Sequence, residues 1–149
     1  MPLYLLSEPG EPLVAPAIVA ALDGWIDAAG ASTAAAERVA DDAPPIATFD
    51  ADLLFDFRSR RPVLDVVDGR LSELTWPELS MRRTRIGERD VLVLTGAEPD
   101  DAWRRFGHDT MELLASLDVR GWVSLGAIPA AVPHTRPVPI IGTEAYMAH

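Results

Sequence analysis

The sequence contains no cysteine, no lysine, no asparagine and no glutamine, so each of its 13 cationic side chains is an arginine. Without cysteine the chain cannot form a disulfide, a thiolate zinc site or a thiol nucleophile. Without lysine it lacks the amine of Walker A loops, Schiff bases and kinase sites. Several large enzyme classes are thereby excluded, and the arginine- and alanine-rich composition predicts a genome rich in G and C.

The charge is one-sided, because 23 acidic residues outnumber the arginines and give a formal net charge of −10. A surface of this sign repels nucleic-acid phosphates and anionic lipids, whose binding needs clustered cations. No apolar run approaches the roughly 18 residues that span a bilayer, and the first residues lack the pattern of a signal peptide. We therefore expect a cytoplasmic protein that binds neither nucleic acid nor membrane and needs no cofactor.

The first half of the chain alternates apolar and alanine-rich segments. Residues 13–22 are apolar apart from Pro16, which predicts a central strand buried on both faces and ending at Asp23. Residues 25–40 are rich in alanine and predict a helix. Residues 46–49 predict a short strand, whereas 52–62 carry no single pattern.

The second half predicts mainly strands. An Asp68-Gly69 turn joins residues 63–67 and 70–74 into a hairpin, since this dipeptide accepts positive φ angles. Residues 79–86 and 90–95 predict a second strand pair across Gly87, and the wholly apolar residues 91–94 are expected at the sheet centre. Residues 122–125 predict one more buried strand, and residues 129–139 a proline-rich loop. Acidic residues at 98, 100 and 101 predict the start of a helix with apolar positions at Trp103, Phe106, Leu113, Leu114 and Leu117.

These elements predict one α/β domain over residues 1–149, with three α/β/α layers and a mixed, mostly parallel central sheet. Ligands of such sheets usually bind beyond the carboxyl ends of the strands. We therefore expect a site among the loops after Leu22, Thr95 and Leu125.

Three segments contain candidate binding residues. In extended form, residues 56–62 would place Asp56, Arg58 and Arg60 on one side, and with Arg61 they would suit an anion or an acidic peptide. The alternative is a solvated edge whose arginines pair with the chain's own acids. At Asp23-Gly24-Trp25 a strand meets a helix, where backbone amides can hold an anion.

The third segment is a stiff loop in which Pro133 and Pro137 enclose His134, Thr135 and Arg136. A neutral histidine there would serve as a general base, with a hydroxyl and an anion-binding arginine beside it. The alternative is a loop that only packs its ring. No catalytic residue or metal ligand is assigned, because the His108 and Glu112 pair lacks a third ligand and residues 30–34 do not form a nucleophile elbow.

Several different short motifs are spaced along the chain: Gly24-Trp25 with Asp27, Phe49-Asp50-Ala51-Asp52, the 56–62 segment, Trp76-Pro77, the 133–137 segment and Gly142-Thr143. Together, over roughly residues 13–145, they resemble the actinobacterial branch of the proteasome assembly chaperone 2 family. The resemblance implies a fold similar to nucleoside phosphorylases and peptidyl hydrolases. It also implies a continuation into a helical segment, so we expect the chain to be truncated before it.

Eukaryotic members of that family pair with a partner and guide assembly of the proteasome α ring. The leading hypothesis is therefore a noncatalytic association domain that self-assembles or binds a protein partner, and the resemblance implies that such a partner is proteasome-related. One alternative is a small-anion or nucleoside-binding enzyme of phosphorylase-like fold. A weaker one is a carboxylate–amine ligase, which the missing lysine and phosphate loop oppose.

Overall fold

The computed structural model describes residues 1–7 and 10–143. Its strands are β1 (Tyr4–Leu6), β2 (Ala17–Asp23), β3 (Pro45–Phe49), β4 (Val63–Val67), β5 (Arg70–Thr75), β6 (Leu79–Ile86), β7 (Arg89–Ala97) and β8 (Gly121–Ser124). Its helices are α1 (Ala31–Ala40), the single turn α2 (Ala51–Leu54) and α3 (Trp103–Ser116). Residues 144 and 145 of the family resemblance, and the expected truncation after His149, lie outside the described part.

Six strands form one sheet in the order β1-β3-β6-β7-β2-β8. β2 runs parallel to β7 and β8, whereas the other three neighbouring pairs are antiparallel. The mixed α/β class is confirmed, but the expectation of a mostly parallel sheet is wrong. Part of the reason is the tight turn at Gly87, which joins β6 to β7 and reverses the chain, because parallel neighbours need a long crossover instead.

Helices cover both faces of this sheet. Successive strand residues point to opposite faces, so alternate residues of β2 and β7 meet different helices. On the α1 side the buried cluster is Ala21, Ala36, Ala40, Val91 and Val93. On the α3 side it includes Ile18, Leu92, Leu94, Phe106, Leu113 and Leu114. The three α/β/α layers are thus confirmed, and none of the described helices is long and apolar enough to cross a membrane.

The helix predicted over 25–40 begins only at Ala31, so its predicted start is wrong. The buried Asp27 carboxylate accepts hydrogen bonds from the backbone N–H groups of Ser32 (2.7 Å) and Thr33 (3.2 Å). It therefore satisfies the free donors of the first helical turn from outside the helix. Residues 25–30 form a loop with a 3-10 turn at Ala28–Gly30.

Two further predictions, the burial of β8 and the acidic cap of α3, are also wrong. β8, predicted as a buried strand, is exposed along its whole length, and β2 is its one strand partner in the described part of the chain. α3 begins after Ala102, and no described side chain caps its first turn. The acidic residues expected to cap it bind other loops: Glu98 accepts from the Trp25 N–H and Asp100 from the Asp56 N–H.

The hairpin predicted around Asp68-Gly69 is confirmed as β4 and β5. Within the described ranges these two strands pair only with each other, and every residue in them is exposed. An isolated two-stranded hairpin is marginally stable in water. Its base is held by Phe57, whose ring meets Trp76 edge to face with centroids 5.0 Å apart.

Candidate functional site

A cleft of about 360 Å³ opens at the carboxyl ends of β2 and β7. Its floor carries Asp23, Thr95 and Gly96, and α1 supplies Thr33 and Glu37. The opposite wall comes from the two ends of the hairpin and the chain that flanks them, with Arg60, Arg61, Val63, Thr75, Trp76 and Glu78. The cleft therefore lies beside the predicted loops after Leu22 and Thr95.

The floor depends on Gly96. Its φ is +138°, a conformation that other residues rarely adopt, and a Cβ placed there would lie 2.2 Å from the Glu78 carbonyl oxygen. That carbonyl accepts a hydrogen bond from the Ala97 N–H at 2.8 Å. Glycine thus lets the start of β6 approach the end of β7, and Glu78 is held at the edge of the cleft.

Arg60 is fixed in the wall by three contacts. One terminal nitrogen donates to the Glu98 carbonyl at 3.2 Å and lies 3.5 Å from an Asp100 carboxylate oxygen. The guanidinium carbon also stands 5.9 Å from the centre of the Phe55 ring. The Arg60 Nε is buried and has no hydrogen-bond partner among residues 1–7 and 10–143. Arg60 is therefore held in place with one donor unused.

Thr95 is the polar residue that ends the buried apolar run of β7. Its side chain is buried, and within the described part of the chain its hydroxyl finds no hydrogen-bond partner. A buried hydroxyl without a partner costs free energy that native structures usually avoid. Thr95 lines the cleft, so this unsatisfied group belongs to its floor.

The acidic residues of the cleft differ in their partners. Glu37 pairs with Arg82 at 2.6 Å. No other described residue forms a hydrogen bond or ion pair with the carboxylate of Asp23 or Glu78. The guanidinium of Arg61 likewise has no ion-pair partner in the described ranges. The cleft thus combines unpaired groups of both charge signs.

The backbone-amide cradle predicted at Gly24 and Trp25 is filled by the protein itself. A Glu98 carboxylate oxygen accepts from the Trp25 N–H at 2.9 Å. A Cβ on Gly24 would overlap the same carboxylate, so glycine allows its approach. The Trp25 side chain is 90% exposed. An internal carboxylate therefore occupies the place that was expected for an external anion.

Asp27, part of the family resemblance, is an anchor beneath this loop. Burial alone would raise the pKa of its carboxyl, but hydrogen bonds from the hydroxyl and N–H groups of Ser32 and Thr33 lower it below its usual value. The neighbouring backbone is tied to the segment after β8, since Ala28 N–H donates to the Ala127 carbonyl at 2.9 Å. Asp27 thus fixes the loop between β2 and α1 as a carboxylate.

The 56–62 segment is a turn and not extended, so Asp56, Arg58 and Arg60 do not form the predicted charged side. Asp56 accepts from the Arg58 N–H (3.0 Å), the Arg58 Nε (3.2 Å) and the Ser59 hydroxyl (3.1 Å). The backbone bond from Arg58, followed by the side-chain bonds, lowers the pKa of the Asp56 carboxyl. The Arg58 side chain points to solvent, whereas Arg60 and Arg61 line the cleft.

His134, Thr135 and Arg136 lie in an exposed turn after β8, closed by the Arg136 N–H donating to the Pro133 carbonyl at 3.1 Å. None of the three lines the cleft. The structure therefore brings together Asp23, Arg60 and Arg61 among the predicted binding residues. It does not bring Trp25, Arg58 or the 134–136 turn into the cleft lining, and binding by any of them stays a prediction.

His108 and Glu112 gain Asp109 as a neighbour, and ligand atoms of the three lie within 4.8 Å of one another. Asp109 already accepts the Leu3 N–H at 2.8 Å, and this bond is the largest cause of the lowered pKa of its carboxyl. The buried Asp109 thus joins the start of the chain to α3. This cluster is explained by that structural contact.

Sequence reasoning missed Thr95, Thr33, Glu37 and Glu78 as cleft residues. Thr95 gave a signal, because it is the one hydroxyl directly following four apolar residues of a strand expected at the sheet centre. Glu78 gave none, since its position depends on how β6 approaches β7. Trp76 appeared only as part of the family resemblance.

The model of the PAC2 family matches residues 21–149 of this chain. A proteasome-assembly chaperone homologue from Mycobacterium tuberculosis is 38% identical with a TM-score of 0.74, over 83% of this chain and 54% of that one. A protein of unknown function from Corynebacterium glutamicum is 31% identical with a TM-score of 0.80, over 91% and 54%.

A PAC2 family protein from Streptomyces avermitilis is 34% identical with a TM-score of 0.73, over 83% of this chain and 55% of that one. The chain therefore spans about half the length of the solved structures that it matches. No curated protein matches it.

Proposed function

We propose, from the premise that this chain belongs to the PAC2 family, that it works by associating with protein chains and not by catalysing a reaction. The family and the chaperone homologue among the solved structures support a chaperone-like role. We place this role in the cytoplasm. A proteasome-related partner is part of the same proposal, because the mycobacterial structure is described as a proteasome-assembly chaperone homologue.

The observation that carries this proposal is the apolar face of the hairpin. Directly paired residues of an antiparallel ladder share a face, and so do residues two apart on one strand. Leu64 pairs with Leu74 and Val66 pairs with Leu71. The apolar face therefore consists of Leu64, Val66, Leu71 and Leu74, which are 50%, 58%, 71% and 50% exposed.

The composition of this face depends on an irregularity in the ladder. The register shifts between Asp65 and Val66, which leaves Ser72 without a direct partner and brings Leu71 opposite Val66. Such bulges re-aim side chains and are common near functional surfaces. The opposite face carries Val63 and Thr75, which line the cleft, so the apolar face is directed away from it. Contiguous exposed apolar groups of this kind mark association sites.

We propose that a second copy of this chain covers the apolar face. The face carries no charge, so two copies can meet there despite a net charge of −10. In the described part of the chain, the outer edges of β4 and β5 are unpaired, which leaves donors and acceptors for antiparallel strand addition. Two hairpins joined about a two-fold axis would bury their apolar faces together.

The test is the molar mass of the purified chain by size-exclusion chromatography with light scattering. We expect a self-associated species, and Val66→Glu should shift it to the monomer because the new charge would be buried at the contact. Val67→Glu is the matched control, since Val67 is equally exposed but lies on the opposite face. Far-UV circular dichroism should show both variants folded.

A strictly monomeric wild-type chain that also fails to bind purified proteasome subunits would overturn the proposal. If both glutamate variants dissociate equally, the contact between copies does not lie specifically on the apolar face. A monomer that binds a proteasome subunit, with binding lost in Val66→Glu only, would retain the association role and replace the second copy by that subunit.

A further inference from the structure

The cleft beside the hairpin is lined by two residues with buried hydrogen-bonding groups that form no stabilising bond within the described part of the protein. The Thr95 hydroxyl and the Arg60 Nε are buried without a partner in the described part of the protein. Thr95 is only 2% exposed, and both residues line the cleft. Buried polar groups without partners cost stability and need an explanation. A bound molecule that supplies the missing acceptor is such an explanation.

The charges of the cleft restrict what this molecule can be. After the pairs Arg60–Asp100 and Glu37–Arg82 are set aside, Arg61 remains on one side and Asp23 and Glu78 on the other. A simple anion would meet two carboxylates and only one unpaired cation. A simple cation would leave the Arg60 Nε and Arg61 without an acceptor. A molecule with both a carboxylate and an ammonium group satisfies both sets.

We infer that the cleft binds a small zwitterion of the amino-acid class. Arg61, the Arg60 Nε and the Thr95 hydroxyl would donate to its carboxylate, because arginine suits carboxylates and a hydroxyl can turn to donate. Asp23 and Glu78 would accept from its ammonium group. Trp76 supplies an apolar surface for a side chain. A volume of about 360 Å³ falls in the range of small-molecule sites.

This site is independent of the proposed association, since the apolar face of the hairpin lies opposite to the face that borders the cleft. Mutations in one can therefore be tested without the other. The amino-acid site would stand even if the chain were a monomer, and the association would stand even if the cleft bound nothing.

The test is a thermal-shift series on the purified chain with each free amino acid added singly, followed by isothermal titration of those that act. We expect one chemical group of amino acids to raise Tm by about 5–10 °C at a hundred times Kd. Acetate and ethylamine, which each carry one of the two charges, should raise it by far less. Inorganic phosphate should have no effect.

Thr95→Val removes the hydroxyl and keeps the shape of the side chain, so it should weaken binding about tenfold or more. Thr110→Val is the matched control, because Thr110 is also buried without a partner for its hydroxyl but lies in α3, outside the cleft. Both variants should melt at or above the wild-type temperature, and only Thr95→Val should lose the ligand.

Arg61→Ala should weaken binding as well, whereas Arg58→Ala should not, since Arg58 points to solvent. The inference is overturned if no amino acid raises Tm, if phosphate or acetate alone raises it as much, or if Thr95→Val and Thr110→Val bind equally. Loss of binding in Arg58→Ala to the same degree as in Arg61→Ala would contradict it too, because general charge would then explain the effect.

Discussion

Two strand segments of nearly equal composition lie in opposite environments. β4 reads Val-Leu-Asp-Val-Val over residues 63–67, and the centre of β7 reads Val-Leu-Val-Leu-Thr over residues 91–95. Each has four apolar residues and one polar residue. All five residues are buried in β7, and all five are exposed in β4.

The difference comes from what covers each segment. β7 lies between β6 and β2, with α1 on one face and α3 on the other. Among residues 1–7 and 10–143, β4 pairs with β5 alone. Burial of apolar surface is favourable wherever it occurs. β7 gains this energy within the sheet, whereas no residue in the described part of the chain covers the apolar face of β4. The hairpin is therefore the part of the molecule on which the proposed association rests.

Matched leucine-to-alanine substitutions in the two strands test this comparison most directly. Leu92→Ala should lower the free energy of unfolding by about 3–5 kcal/mol, because Leu92 is fully buried and its loss leaves a cavity. Leu64→Ala, at the equivalent second position of β4, should cost less than about 1 kcal/mol in the monomer. Urea titrations at low protein concentration measure both values. Equal costs would mean that the hairpin packs into the body of the domain.

An aspartate in each of the two strands gives a second contrast. Asp90 is buried, accepts the Val14 N–H at 2.7 Å and meets Arg83 at 3.0 and 3.1 Å, and the bonds from Arg83 are the main reason its pKa is lowered. Asp90→Asn should therefore cost about 2 kcal/mol at pH 7. Asp65→Asn, in the exposed hairpin, should change stability by less than about 0.5 kcal/mol.

The Asp90 effect should also depend on pH. Its folded pKa lies below the unfolded value of about 3.9, so its contribution is present above that value and is lost as the pH falls through the folded pKa. Urea titrations of wild type and Asp90→Asn should differ at pH 7, and the difference should shrink as the pH falls through the folded pKa. A difference that grows toward low pH would contradict the assignment of Asp90 as a stabilising carboxylate.

Local sequence patterns were sufficient to predict most helices and strands, but not which strands lie side by side in the sheet. The Asp68-Gly69 turn, the β6–β7 pair and α3 could be predicted, because turn chemistry and periodicity act over a few residues. The sheet order could not, since β2 pairs with strands about seventy and a hundred residues away. β8 looked buried for the same reason: its composition suits burial, but its edge position depends on the whole sheet.

The candidate site was predicted in part. Two of the predicted residues line the cleft: Asp23, at a strand end, and Arg60, in the arginine-rich segment. Arg58 points away from the cleft because Asp56 accepts its N–H and closes a turn there. Glu98 was interpreted as a helix cap, yet it fills the Trp25 amide site from seventy-three residues away. Such side-chain pairings depend on tertiary contacts, which single-sequence patterns do not contain.

The smallest effect sharpens the comparison within the hairpin itself. Asp65 and Glu73 are directly paired, and like charges at such positions are destabilising. Glu73→Arg should replace this repulsion by attraction and raise the hydrogen-exchange protection of the β4 and β5 amides roughly twofold. Glu73→Gln, which only removes the repulsion, should give a smaller gain. Because the hairpin is covered by no other described element, the amides of β7 should keep their protection in both variants. An equal rise in the protection of the β7 amides would show that the hairpin and the sheet unfold as one unit. β4 and β7 would then differ in exposure but not in local stability.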